Sequence, residues 1–119
     1  MKRRMPLLKL ETTAALSEDK RKDLLAALSH IVSATVGKPE KYVMVTVGHA
    51  DMLMSGTDTD MAFVDIRSIG GLNLDVNGKL SRQICELLEE SLGITPDRVY
   101  LNFTDIKAAN WGWDGNTFG

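Results

Sequence analysis

A single cysteine, Cys85, stands among 119 residues, so no intrachain disulfide is available and stability must come from packing and hydrogen bonds. Two histidines, His30 and His49, form no metal-ligand spacing with that cysteine, and no metal site is expected. No apolar run approaches the ~20 residues of a membrane-spanning helix. Lys9 and Glu11 interrupt the first hydrophobic stretch, so neither a membrane partner nor a signal-peptide core is expected. An excess of either charge is also lacking. The net charge of -2 gives no electrostatic ground for binding nucleic acid or an anionic membrane surface. The basic cluster Lys2-Arg3-Arg4 is too short to change this and reads as an upstream start or an appended remnant. Asn102-Phe103-Thr104 fits the glycosylation pattern, but it falls in an expected buried strand and is discounted.

What is present suits one globular domain: 44% hydrophobic residues in a chain long enough to bury a core. Residues 7–12 read as a strand. Ser17 is a good N-cap, followed by Glu18 and Asp19 where negative charge suits the helix dipole. Leu24, Leu25, Leu28, Ile31 and Val32 recur at helical spacing, and Gly37 then Pro39 end the helix. His30 falls off that stripe and reads as a surface residue. Residues 42–47 read as a β-branched strand and residues 48–60 as a polar loop whose Met52 and Met54 pack against the body. Residues 62–69 read as a third strand, and Asn77-Gly78 as a turn. Leu80, Ile84, Leu87, Leu88 and Leu92 mark a second helix, closed by Gly93, with Cys85 at the stripe's border as packing rather than a nucleophile. Residues 99–103 form the last strand, and an irregular aromatic tail follows.

The halves echo one another: Pro39-Glu40-Lys41 leads into the second strand as Pro96-Asp97-Arg98 leads into the fourth. Each half is strand, helix, strand, which implies a crossover and a parallel pair. Two such units side by side give an α+β, two-layer fold: duplicated βαβ units, a four-stranded mixed sheet, and both helices on one face. The second strand nevertheless reads as apolar on both sides, with Val43, Val45 and Val47 on one and Tyr42 and Met44 on the other. With no spare element to cover the second face, other copies of the chain are expected to cover it in a closed oligomer.

Several stretches stand in a fixed order. They are Met5-Pro6, Gly37-Lys38-Pro39, Arg67-Ser68-Ile69-Gly70, Pro96-Asp97-Arg98-Val99-Tyr100-Leu101-Asn102, Ala108-Ala109-Asn110-Trp111-Gly112-Trp113 and Asn116-Thr117-Phe118. Together they make the chain resemble the macrophage migration inhibitory factor family of the tautomerase superfamily, from Pro6 to Gly119. The resemblance implies a homotrimer with active sites between neighbouring subunits. Residues 1–5 would be an N-terminal extension or processed leader, and 6–119 the tautomerase domain.

The resemblance also implies keto–enol tautomerisation of small aromatic α-keto acids such as phenylpyruvate, with no cofactor. Pro6 would be the catalytic base. An N-terminal proline is a secondary amine, whereas inside a chain its nitrogen is an amide with no basicity. Removal of the leading residues therefore decides whether the position has chemistry, and Met5 is the expected biological start. Lys38 would pair with the substrate carboxylate and the Ile69 N–H would donate to it. Tyr100 and Asn102, from the adjacent subunit, would hold the aromatic end, with Trp113 and Phe118 as apolar walls. Read without the resemblance, Lys38 is a lysine suited to a helix C-terminus, Tyr100 and Asn102 are strand packing, and Trp113 is core.

Relatives with cytokine activity carry a CxxC pair where Met61 and Val64 stand here, so thiol chemistry of that kind is not expected. Arg67 replaces a common histidine, and Trp111 replaces a smaller aliphatic residue at the pocket mouth. Two other readings compete with the enzyme. One is a cytokine-like protein, cytoplasmic or exported without a signal peptide, that binds a receptor. The other is hydration or dehalogenation of unsaturated acids with Arg67 as the pocket arginine.

Overall fold

The computed structural model describes residues 5–119; the Lys2-Arg3-Arg4 cluster and the rest of the 1–4 segment lie outside the described residues. Strand β1 (Leu7–Thr12) leads to helix α1 (Glu18–Val36), strand β2 (Met44–His49), strand β3 (Ala62–Ser68), helix α2 (Leu74–Leu92) and strand β4 (Val99–Asp105). A two-residue pair, β5 (Gly112–Trp113) and β6 (Asn116–Thr117), closes the chain. The sheet order is β2-β1-β3-β4. β1 and β2 are parallel, as are β3 and β4, and the two halves meet at an antiparallel β1–β3 seam. This is the duplicated βαβ arrangement expected from the chain's two echoing halves.

Alternation along the strands builds the core. Leu8, Leu10, Val64, Ile66 and Val99 leave one sheet face and pack against Leu24, Leu28 and Val32 of α1 and Leu80, Ile84 and Leu88 of α2. Both helices therefore lie on that face. The caps follow from local chemistry. The Ser17 side chain accepts the Lys20 N–H at 3.1 Å, and Gly37 takes the left-handed conformation (φ 79°) that ends α1.

Four details depart from the pattern in the sequence. Asn77-Gly78 is not a turn: both residues lie inside α2, which starts three residues earlier. The Asn73 side chain accepts the Val76 N–H at 2.9 Å, and the Asn77 N–H closes the first turn on Asn73 O at 2.8 Å, so capping outweighs the low helix propensity of glycine. Tyr42 is not in β2. It ends a 3-10 turn (Glu40–Tyr42) in which its N–H reaches back to Pro39 O. The outer sheet face is therefore mixed rather than apolar: Met44 and Tyr100 are 64% and 67% exposed, but Lys9, Asp65, Arg67 and Asn102 lie between them. The tail, finally, is ordered by a two-residue hairpin turn. Asp114 and Gly115 both have positive φ, the geometry that favours an Asp-Gly pair.

Cys85 belongs to the core. Burial pushes its thiol above the ordinary 9.0, and the Glu89 carboxylate adds to the rise. As pH rises, the unfolded thiol ionises first, so the native state loses stability above pH 9.0 and not below it. Native Cys85 is expected to react with a disulfide reagent at pH 8 at least about tenfold more slowly than in the unfolded chain. Comparable rates would show an accessible thiolate. Gly78 sits in mid-helix with nothing within 4 Å of where a Cβ would stand, so Gly78→Ala should stabilise the fold. The expected gain in denaturant unfolding is about 0.5–1 kcal/mol.

Candidate functional site

The β1–β3 seam gathers several of the candidate residues at one end of the sheet. Leu7 lies opposite Arg67, so Pro6, one residue earlier, stands level with Ser68 at the start of β1. Pro6 is buried, and its carbonyl accepts the Met44 N–H at 3.0 Å, which fixes it against the entry of β2. In the chain as written Met5 acylates the Pro6 nitrogen. Ile69 follows β3 at the same end and is buried. Its neighbours are held on both sides: the Ile106 N–H donates to Ser68 O at 2.8 Å, and the Gly70 N–H donates to Asp105 Oδ1 at 2.8 Å. The Ile69 N–H takes no part in these bonds.

Lys38 lies in the connection from α1 to β2, which returns to this end of the sheet. Its N–H donates to Ser33 O at 3.0 Å, and its carbonyl accepts the Ser33 hydroxyl, so two bonds to one serine set the backbone beneath it. β4 also ends at this level, at Asp105, and the aromatic tail leaves from there. Trp113 and Phe118 stack nearly parallel, centroids 5.9 Å apart, across the small hairpin. Trp113 is 42% exposed, so it is a surface plate and not the core residue that composition alone implies. Trp111 is half-buried behind them and accepts the Phe118 N–H at 3.2 Å.

Tyr100 and Asn102 stand apart from this group. Both project from the outer face of β4 and are exposed, which overturns the packing reading of Tyr100; the Asn102 amide donates to Thr104 Oγ1 at 3.1 Å. Tyr100 lies opposite Phe63, which lies opposite Glu11. That is five residues along β1 from Pro6 and two strands across. At about 3.3 Å per residue and about 4.8 Å per strand, Pro6 and Tyr100 of one protomer are roughly 19 Å apart. One chain therefore does not bring them into one small-molecule pocket. Tyr100 instead lines a cleft of about 220 Å³ with Met52, Leu53, Met54, Met61 and Phe63. In the residue pattern only the methionines of the 48–60 loop, Met52 and Met54, hint at this cleft.

Arg67 is committed elsewhere. Its Nε and Nη2 donate to Asp65 Oδ2 at 3.1 and 2.9 Å on the outer face of β3. Pro6, by strand alternation, shares the inner face with Leu8. Arg67 is thus not aimed at the proline, which weakens the unsaturated-acid reading. Met61 and Val64, at the positions of the CxxC pair, are buried core. Among the described residues no cluster of histidine, cysteine and carboxylates could hold a metal. Among them, too, no helix is long and apolar enough to cross a membrane.

Comparison with known proteins agrees with this geometry. A family profile described as Macrophage migration inhibitory factor (MIF) matches residues 5–119. Macrophage migration inhibitory factor of Mus musculus is 42% identical over 96 residues, spanning 79% of this chain and 83% of that protein. A homolog from Trichuris trichiura is 33% identical over 115 residues, 96% of this chain and all of that one. Among solved structures, the macrophage migration inhibitory factor-like protein of Entamoeba histolytica superposes with a TM-score of 0.92 at 35% identity, covering 96% of this chain and 99% of that one. The homologue from Prochlorococcus marinus gives 0.90 at 36% identity, covering 95% and 99%. With its two βαβ halves, its buried proline at the head of β1 and these relatives, the chain belongs to the macrophage migration inhibitory factor family of the tautomerase superfamily.

Proposed function

We propose that the protein is a cofactor-independent keto–enol tautomerase of small aromatic α-keto acids such as phenylpyruvate. It works as a homotrimer in which Pro6, freed as the N-terminal residue, is the general base. The observation that carries this reading is the position of Pro6: buried, at the head of a central strand, with its carbonyl held by Met44. A secondary amine in that place is disfavoured in its charged form by burial, and the cation of Lys38, brought to the same end of the sheet, acts in the same direction. Both effects keep the amine neutral and able to accept a proton near neutral pH.

In the keto-to-enol direction the Pro6 nitrogen takes a proton from the carbon beside the carbonyl. The electron pair of that C–H bond forms the C=C bond, and the carbonyl oxygen gains the charge and then the proton. The reverse direction returns the proton through the same amine. Lys38 pairs with the substrate carboxylate, and the Ile69 N–H, left outside the surrounding bonds, donates to it. The separation of Tyr100 from Pro6 within one chain supports a shared site, with Tyr100 and Asn102 of a neighbouring copy meeting the aromatic end. Trp113 and Phe118 serve as apolar walls.

The relatives are named for inhibiting macrophage migration, and that name favours a second reading: a cytokine-like, receptor-binding protein whose tautomerase activity is incidental. The two readings separate on one variant. In protein that begins at Pro6, Pro6→Gly should lower kcat/KM for phenylpyruvate by about 10²–10⁴-fold. Receptor binding that survives the same change would make turnover incidental to the signal. Protein retaining Met5 should be equally inactive, and its kcat/KM at the level of the Pro6-first form would refute an amine base. Turnover of the active form should fall as pH is lowered and the amine is protonated. Sedimentation should give three copies, and an active monomer would refute the shared site.

A further inference from the structure

The middle of the loop between β2 and β3 is gripped by a side chain that the proposed chemistry does not use. The loop's far end is fastened to β1: Thr12 Oγ1 donates to Met61 O at 2.7 Å, and the Met61 N–H donates to Thr13 Oγ1 at 3.1 Å. Its middle is a tight turn. Met54 and Thr57 exchange N–H···O bonds of 3.2 and 3.0 Å around Ser55 and Gly56, both at positive φ. A two-residue turn on a polar loop is weakly anchored by itself. The anchor is Arg98. Its Nη1 donates to Met54 O at 2.9 Å, and its Nη2 donates to Thr57 O at 3.2 Å and Thr59 O at 2.6 Å. Both turn carbonyls are thus bound by the turn and again by the guanidinium, and Met54 O also accepts the Thr57 hydroxyl at 3.2 Å.

Among the described residues no carboxylate pairs with Arg98, and its Nε is buried without a partner. Both terminal nitrogens are committed to loop carbonyls, a geometry that lysine, with one compact ammonium, does not reproduce. In the other half of the duplication Lys41 holds the equivalent place and lies over the Tyr42 ring instead, 5.0 Å from its centre. Arg98 closes the Pro96–Arg98 turn that feeds β4, two residues before Tyr100. It ties one wall of the 220 Å³ cleft, the loop with Met52, Leu53 and Met54, to the strand that carries the other wall.

Resting on the reading of Tyr100 as the contact for the substrate's aromatic end, we infer that Arg98 is a positioning residue: it fixes the loop against the start of β4 and so sets the cleft in which Tyr100 receives that end. The test uses protein that begins at Pro6, with Arg98→Leu and Arg98→Lys compared with the parent. Amide exchange at Met54 and Thr57 is measured beside steady-state turnover of phenylpyruvate. In Arg98→Leu exchange at both amides should quicken by roughly tenfold or more, as expected for loss of a charge-assisted bond. Arg98→Lys should fall between, and it carries both measurements if Arg98→Leu does not fold. KM should rise several-fold while kcat stays within about twofold, the signature of lost binding rather than lost chemistry. Unchanged exchange overturns the clamp whatever turnover does. Faster exchange with KM unaltered, or a fall in kcat alone, overturns its role at the site. A parent without turnover overturns the tautomerase reading and the ligand half of this inference with it, while exchange still decides the clamp.

Discussion

The antiparallel pairing of β1 with β3 is the constraint on which the rest of the molecule depends. Each βαβ half is parallel inside, so the direction in which the halves meet decides which loops share an end of the sheet. Antiparallel pairing places the head of β1 beside the tail of β3, and with them Pro6 beside Ile69. The same pairing sends Tyr100 to the opposite end, because β4 runs with β3. Had the halves met in parallel, β3 would begin beside Pro6, and Ile69 would lie at the far end.

The elements that the sequence made legible are those with local causes. β1 is bounded as its alternation implies, and α1 is bounded by a serine cap and a left-handed glycine, chemistry carried by one or two residues each. The parallel pairing inside each half was legible because a helix between two strands admits few topologies. Where structure and residue pattern differ, two local signals compete. Asn77-Gly78 is a common turn pair, yet Asn73 four residues earlier was the better cap. In the tail the opposite happened: Asp114-Gly115 is a hairpin signal that the surrounding aromatics obscured.

The candidate site was legible only in part, for a physical reason. Pro6 and Ile69 come to one end of the sheet through strand register, which residue patterns approximate. Lys38 comes to the same end of the sheet through its connection to β2. The role of Arg98 depends on three carbonyls in a loop far away in the sequence, and no spacing rule encodes such contacts. The mixed outer face was hidden by the same limit. Alternation in β2 alone read as apolar, while Lys9, Asp65 and Asn102, brought alongside one another by pairing, make the centre of that face polar.

The placing of the two tryptophans, Trp111 and Trp113, has a practical consequence. Both lie in the terminal hairpin region beyond β4, outside the core cluster. Intrinsic fluorescence therefore reports on that appendage and on whatever docks against it, while the helices and the main sheet melt unseen by it. A fluorescence transition and a circular dichroism transition that fail to coincide would record the detachment of this aromatic flap ahead of the body, not an intermediate in the folding of the core.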